Sequence, residues 1–489
     1  MSLSRRQFLK LQLRTTAPQP PSVHDPTLHL LNRATWGPRP EEVERVRQMG
    51  RDAWLEEQLH PQAIDDSTFE QMAAPQLALF NLSRHDLYGL NNTYGRLDFL
   101  PHELMVLRAV HSKRQLLERV VAFWSDHFNI PATGDEPAEI IVYYRDAIRQ
   151  HAMGKFKDLL LATAKSPAML LYLDGAYNIN DHPNENYARE LLELHTLGVD
   201  GGYTEEDIRQ GARALTGWTV HPRTANGFYF NPIDHDYGPK QVLGHKMPAG
   251  RGIEDGLHLL MIAANHPATA RFLSFKLCRH FVSDNPPASL VQSTAQVWRQ
   301  TDGEITSVLR HIFTSPEFYA AAGQKLRRPL HYFIGVLRAT GARHSHVDAL
   351  YEPLSKLGQM PYGWGPPNGY PDTAEAWIST GGLLERWNAA TFFTQDIHFG
   401  PDEVWGWRSE LHRRIPPPGA EGGPTTAGDL VDAVARQVFG APLSADARAP
   451  FLDYLGAAHP GAPLDARTFA KKMPVLMGLM LASPQYQWC

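Results

Sequence analysis

A chain of 489 residues with 43% hydrophobic side chains can bury a large core, either as one big helical unit or as two or three domains. Its net charge of -5, from 47 basic and 52 acidic residues, carries no basic excess, which argues against nucleic acid as a partner. Two cysteines, Cys278 and Cys489, exclude a disulfide framework and a thiolate metal site, while 23 histidines leave ample groups for acid/base chemistry or a divalent metal.

In chain order, Ser4-Arg5-Arg6-Gln7-Phe8-Leu9-Lys10 matches the twin-arginine export pattern. The apolar stretch of about 7 to 15 residues that completes such a signal does not follow, so export and a cytoplasmic location both stay open. No run approaches about 18 apolar residues, so no membrane span is expected. Residues 1–25 are read as a twin-arginine-like lead-in, 26–415 as the main helical domain, 416–428 as a Pro/Gly linker and 429–489 as a C-terminal helical cap.

Within the main domain, apolar periodicity predicts helices over 28–35, 39–50 and 51–59. A loop over 91–100 precedes one long helix from Pro101 through Trp124. Trp124 and His127 stand one turn apart near its end, as an aromatic and an imidazole that suit a substrate contact or simple edge packing. Helices over 139–153 and 156–164 follow. Ser166-Pro167, Ser315-Pro316 and Ser483-Pro484 repeat a serine cap with proline at the first helical position.

The densest chemistry lies in 182–198, where Pro183 and Asn184 open a helix and Gly198 closes it. Asn186, Glu190 and Glu193 fall at i, i+4 and i+7 and share one face. Arg189 lies four residues from both Glu185 and Glu193. A solvated face with intrahelical ion pairs is the plain reading. Thr204 and Asp207 then form a capping box for a helix ending at Leu215, before Gly217-Trp218. Beyond it, 227–231 and 241–243 look like strands of a hairpin whose loop carries Asp234, His235 and Asp236.

Residues 182–198, Tyr203-Thr204-Glu205-Glu206-Asp207 and Ala212-Arg213-Ala214-Leu215-Thr216-Gly217-Trp218 resemble the signature of a bacterial family catalogued as domain of unknown function 1800. Further matching segments are Trp124-Ser125-Asp126-His127-Phe128, Asp234-His235-Asp236-Tyr237-Gly238, His266-Pro267-Ala268-Thr269-Ala270-Arg271-Phe272 and Leu357-Gly358-Gln359-Met360. The resemblance implies a mostly helical protein, usually exported by the twin-arginine route, and no particular chemistry.

The second half reads as helices over 252–264, 268–282, 290–313 and 328–340, the second holding Lys276, Arg279 and His280 in an apolar run. Between them and the end, the Gly- and Pro-rich stretch 359–371 is expected to expose Tyr362, Trp364 and Tyr370 on a stiff loop. The fold class expected is mainly α, a large helical-bundle assembly with a small β-hairpin insertion around 227–245.

These features suggest a hydrolase with a carboxylate-rich cleft acting on glycosidic bonds, because that reaction needs one protonated and one ionised carboxyl. In that scheme Glu190 is the acid and Asp236 the base or nucleophile, with His235, Glu185 and Arg189 around them. Asn184, Asn186, Glu193, Trp124, His127, Trp218 and Trp364 face the carbohydrate. No cofactor is needed. One alternative is a metal-dependent hydrolase or oxidoreductase with Glu190, Glu193, His235 and Asp236 as hard ligands. The other is a non-catalytic glycan-binding or scaffold protein.

Overall fold

Helix-forming runs bounded by Ser, Asp, Pro or Gly follow one another along the chain and set its architecture. The computed structural model describes residues 25–90, 96–132, 136–222, 224–341, 343–344, 348–394, 397–399, 405–408 and 411–489. The twin-arginine-like segment lies outside them. The fold is mainly α, and among the described residues no helix is long and apolar enough to cross a membrane.

Two of the helices expected to be continuous are broken. The run from Pro101 through Trp124 is two helices, Arg96–His111 and Gln115–His127, so the loop expected up to Leu100 ends earlier. The break holds because Ser112 Oγ donates to Asp66 and accepts from the Arg114 amide, which anchors the turn to another part of the chain. The second break splits 290–313 into Ala288–Gln300 and Ile305–Thr314, with Asp302 and Gly303 at positive φ between them. The Ser-Pro device recurs as expected at the starts of Pro167–Tyr172, Pro316–Ala320 and Pro484–Gln487. Only Ser315 caps with its side chain, accepting from the Phe318 amide at 3.1 Å.

The β insertion is two hairpins, not one. Trp218–Val220 pairs with Phe228–Phe230, and Lys240–Val242 pairs with His245–Met247. The two expected strands therefore belong to different hairpins, and the Asp234 segment connects them. A third small sheet joins Arg343–His344, Trp405–Arg408 and Ile397–Phe399.

Among the described residues, three apolar cores organise the helices. The largest gathers Leu30, Trp124, Tyr187, Leu191, Trp218, Leu277 and Phe313. A second unites Trp36 and Val110 with Leu330–Phe393 side chains and the last helices, from Leu430 to Tyr486. A small third core lies under Phe69–Leu107 and Ile141. The ionic cluster described next lies beside the Gln115–His127 helix, which contributes Trp124 to the first core and Ala122 to the second.

Candidate functional site

The 182–198 stretch forms an α-helix, Asn186–Glu190, that runs on into a π-helix, Leu191–Thr196. Thr196 Oγ1 donates to the Leu191 carbonyl five residues back, at 2.6 Å, which stabilises the wider turn. Such π segments recur at functional sites. Asn184 does not cap by position: Glu185 precedes the helix, and Asn184 Oδ1 accepts from the Asn186 amide. Asn186 donates to Asp174 at 3.1 Å. Arg189 pairs with Glu205 at 2.7 Å and more loosely with Glu185 at 3.3 Å. Asn184, Glu185, Asn186 and Arg189 are thus engaged in the turn and in the contact with the Glu205–Ala214 helix.

Glu190 remains half-buried. Burial and the neighbouring Glu193 carboxylate raise its pKa above the ordinary range, against the pull of Arg189. Glu193 accepts from the Tyr203 hydroxyl at 3.2 Å.

The Asp234–Asp236 segment sits apart from Glu190's partners. Arg213 grips Asp236 with Nε at 2.6 Å and Nη2 at 3.1 Å. Burial opposes ionisation of Asp236, but Arg213 and the Gly238 amide outweigh it and hold its pKa low. His235 Nδ1 donates to the Thr216 carbonyl at 2.8 Å, leaving Nε2 3.7 Å from Asp255. Lys240, wholly buried, donates to Asp255 at 2.8 Å and to the Asp236 and Gly238 carbonyls. This network staples the two hairpins to the helices. Beside it runs a groove of about 990 Å³ lined by Arg213, Lys240, Lys246 and His266. Neither Glu190 nor Glu193 lines that groove. Among the described residues no three His, Cys, Asp or Glu side chains are placed to hold a metal ion, so Glu190, Glu193, His235 and Asp236 do not form one ligand set.

Trp124 and Trp218 are core side chains at 0% and 1% exposure; Trp124 Nε1 donates to the Ala152 carbonyl. His127 is buried too, but it leads to a different site. Its Nε2 must donate to the His195 carbonyl at 3.0 Å, so Nδ1 accepts from Lys276 Nζ at 2.8 Å. Burial, then the Lys276 charge, push His127 well below the usual imidazole range, so the ring is neutral. Lys276 projects from the Pro267–Phe281 helix, and burial lowers its pKa to about 8, although Asp126 and Asp372 support its charge.

Those two carboxyls meet on Arg328. Nη1 donates to Asp126 Oδ2 at 2.7 Å, and Nε lies 3.6 Å from Asp372 Oδ1. His280 Nδ1 donates to Asp372 Oδ2 at 2.9 Å, and Lys325 stands 3.1 Å from Oδ1 while also pairing with Asp284 at 2.6 Å. Asp372 Oδ1 nonetheless lacks a well-directed hydrogen bond. The two carboxyls are driven apart. Burial raises Asp126 and Arg328 only partly corrects it, whereas Lys325, Arg328 and His280 overcome burial at Asp372 and hold it well below the carboxylate range. The side chains of Asp126 and Asp372 keep 25% and 18% exposure, so the cluster opens to solvent.

The Gly- and Pro-rich loop roofs this cleft. Asn129 Nδ2 donates to the Trp364 and Pro366 carbonyls at 2.8 Å each, and the Tyr172 hydroxyl donates to the Gly365 carbonyl at 2.5 Å. Burial, and then the Glu190 charge, lift the pKa of Tyr172 to about 12. The loop therefore runs from the neighbourhood of Glu190 to Asp126. Contrary to the expected exposure, Tyr362 and Tyr370 are buried, Tyr362 against Tyr144 with ring centres 3.8 Å apart. Trp364 is half-buried on Tyr370 at 4.9 Å, and Tyr370 lies 6.0 Å from the half-buried Trp377.

Gly369 makes the close approach to Asp126 possible. Its φ is +71°, and a Cβ there would overlap the Asp126 carbonyl oxygen. Gly369→Ala is expected to unseat the loop, seen as faster proteolysis within 359–371 and altered tryptophan fluorescence, while the helical circular dichroism stays unchanged. An intact, protease-resistant loop in that variant would remove the argument for close seating.

Asp126, Lys276, Arg328 and Asp372 were not singled out as site residues in the sequence. One signal was present: Lys276 and His280 interrupt an otherwise apolar helix.

The fold and the cluster together define a large, mainly helical protein with a partly buried ionic site beside an aromatic loop. Its family follows from the sequence. Residues 29–488 match the model of the family described as protein of unknown function (DUF1800), and the chain belongs to that family. No curated protein and no solved structure matches it.

Proposed function

We propose that the protein is a hydrolase of glycosidic bonds whose acid/base pair is Asp126 and Asp372. The observation carrying this reading is one guanidinium, Arg328, holding two carboxyls with oppositely displaced pKa values beside an aromatic roof. Paired carboxyls whose environments separate their protonation states are what glycoside hydrolysis needs. Asp126, whose pKa burial raises, supplies the proton to the departing oxygen. Asp372, ionised, supports the positive charge that develops on the sugar or activates the water that replaces the leaving group. The half-buried rings of Trp364 and Trp377 offer apolar faces to a sugar. Glu190, with its raised pKa, lies at the far end of the same loop, where it accepts a hydrogen bond from a substrate hydroxyl.

The test is release of reducing ends from a broad glycan panel by the purified protein, with Asp372→Asn as the paired control. Activity that survives in Asp372→Asn would overturn the assignment of the pair.

The pH profile follows from the same geometry. Activity requires Asp372 ionised and Asp126 protonated, so the acid limb follows Asp372 and the alkaline limb follows Asp126. Arg328 lowers the pKa of both carboxyls. Its removal raises both, so in Arg328→Gln both limbs move to higher pH. A profile that shifts down, or does not shift, contradicts these roles.

A further inference from the structure

The interior beside Asp372 holds cationic donors that its own side chains do not all pair. Behind Asp372, six cationic or imidazole side chains draw together: Arg33, Arg119, Arg327, Arg328, His280 and His331. Arg33 is fully used, donating to the Phe281 and His280 carbonyls and to Cys489 Sγ at 2.9, 2.7 and 2.9 Å. Arg328 is held by Asp126 and Asp372.

Several of the remaining donor atoms lack acceptors. Arg119 is 3% exposed, has an orphaned Nε, and lies over the Trp36 ring at 4.7 Å. Arg327, also 3% exposed, gives Nη2 to Asn32 Oδ1 at 2.5 Å and covers the Tyr486 ring, but its Nε and Nη1 have no partner. His331 Nε2 and His280 Nε2 are buried and unpartnered as well. The Trp36 ring that Arg119 covers is centred 5.8 Å from the His331 ring, and Arg327 Nη1 lies beside Gly37, the residue after Trp36, which places the three groups in one neighbourhood. Two nearby acceptors are already occupied. Asp372 belongs to Lys325, Arg328 and His280, and the Cys489 sulfur to Arg33.

Burying a guanidinium without an acceptor is among the costliest arrangements in a protein interior, and several together call for a compensating anion. Arginine presents planar, paired donors that fit carboxylate and phosphate oxygens. We infer that this cluster of unpartnered donors is an oxyanion-binding site, with Arg119 and Arg327 as the principal donors, assisted by His331. The ligand is a carboxylate- or phosphate-class group. It arrives as a free inorganic oxyanion or as the acidic group of a substrate lying in the adjoining cleft. The site is independent of the hydrolytic reading, since binding needs no turnover.

Calorimetric titration of the full chain with inorganic phosphate, acetate, glucuronate and glucose tests it, alongside the thermal midpoint at each concentration. The expected result is saturable binding of at least one oxyanion, a rising midpoint and no response to glucose. Arg119→Gln and Arg327→Gln should each weaken binding at least 10-fold, while the surface variant Arg209→Ala leaves it unchanged. Phosphate binding tighter than glucuronate supports a free inorganic ligand; the reverse supports an acidic substrate group. No saturable binding of any oxyanion by the wild-type protein overturns the inference whether or not the variants fold, and so does undiminished binding in both arginine variants.

Discussion

Asp126→Asn is expected to lower turnover of a natural glycan by about 10²- to 10⁴-fold, the range that a positioned general acid contributes. The amide keeps the shape of the carboxyl and can still accept from Arg328 Nη1, which donates to Asp126 at 2.7 Å. What it lacks is a proton to give to the leaving oxygen. The loss should therefore depend on the leaving group: an aryl glycoside that departs as a stabilised phenolate needs no protonation and should recover most of the rate. A purely structural role would lower both substrates alike. Equal losses on the natural and the activated substrate, or a variant with a collapsed thermal transition, would remove Asp126 from the acid role.

The helical class was legible because apolar periodicity and local caps act over a few residues. The 51–59 and 156–164 helices stand where they were expected, and the Thr204–Asp207 capping box forms with both of its hydrogen bonds. The breaks at 112–114 and 302–303 were harder to read. The first depends on Asp66, 46 residues away, catching Ser112, so no local pattern reports it.

The cleft was largely illegible for the same reason. Asp126 and Asp372 meet only through Arg328, and each of the three belongs to a different part of the chain. The Glu190 stripe stands out because its carboxylates are close in sequence, yet the adjoining Arg189 pairs with Glu205 of a neighbouring helix. The Asp234–Asp236 run likewise met Arg213, Lys240 and Asn231, which tie it to the hairpins. Short-range spacing reveals which side chains can share a face. It does not reveal which distant cation will occupy them.

Arg338→Met should be the most destabilising single change, costing about 3–5 kcal/mol, as expected when one partner of a buried ion pair is removed. Arg338 is 0% exposed and holds three separate pieces of the chain at once. Its Nε donates to the Gly37 carbonyl at 2.8 Å, Nη1 to the Val110 carbonyl at 3.0 Å, and Nη2 to both Glu42 oxygens at 2.6 and 2.7 Å. Methionine fills much of the volume but leaves the Gly37 carbonyl and the Glu42 carboxylate without this charged donor, while the Val110 carbonyl keeps Arg39 Nη2. Glu42 keeps its capping bond from the Arg39 amide, so the Pro40–Met49 helix should survive locally while its attachment loosens. Hydrogen exchange should accordingly show lost protection in 40–49 and 96–111 before the 115–127 helix responds. In a double-mutant cycle, adding Glu42→Gln to Arg338→Met should restore part of the loss, because the stranded carboxylate is then neutral. A single-variant cost below about 1 kcal/mol, the range of exposed pairs, would mean that water reaches these groups and that Arg338 does not join the two cores.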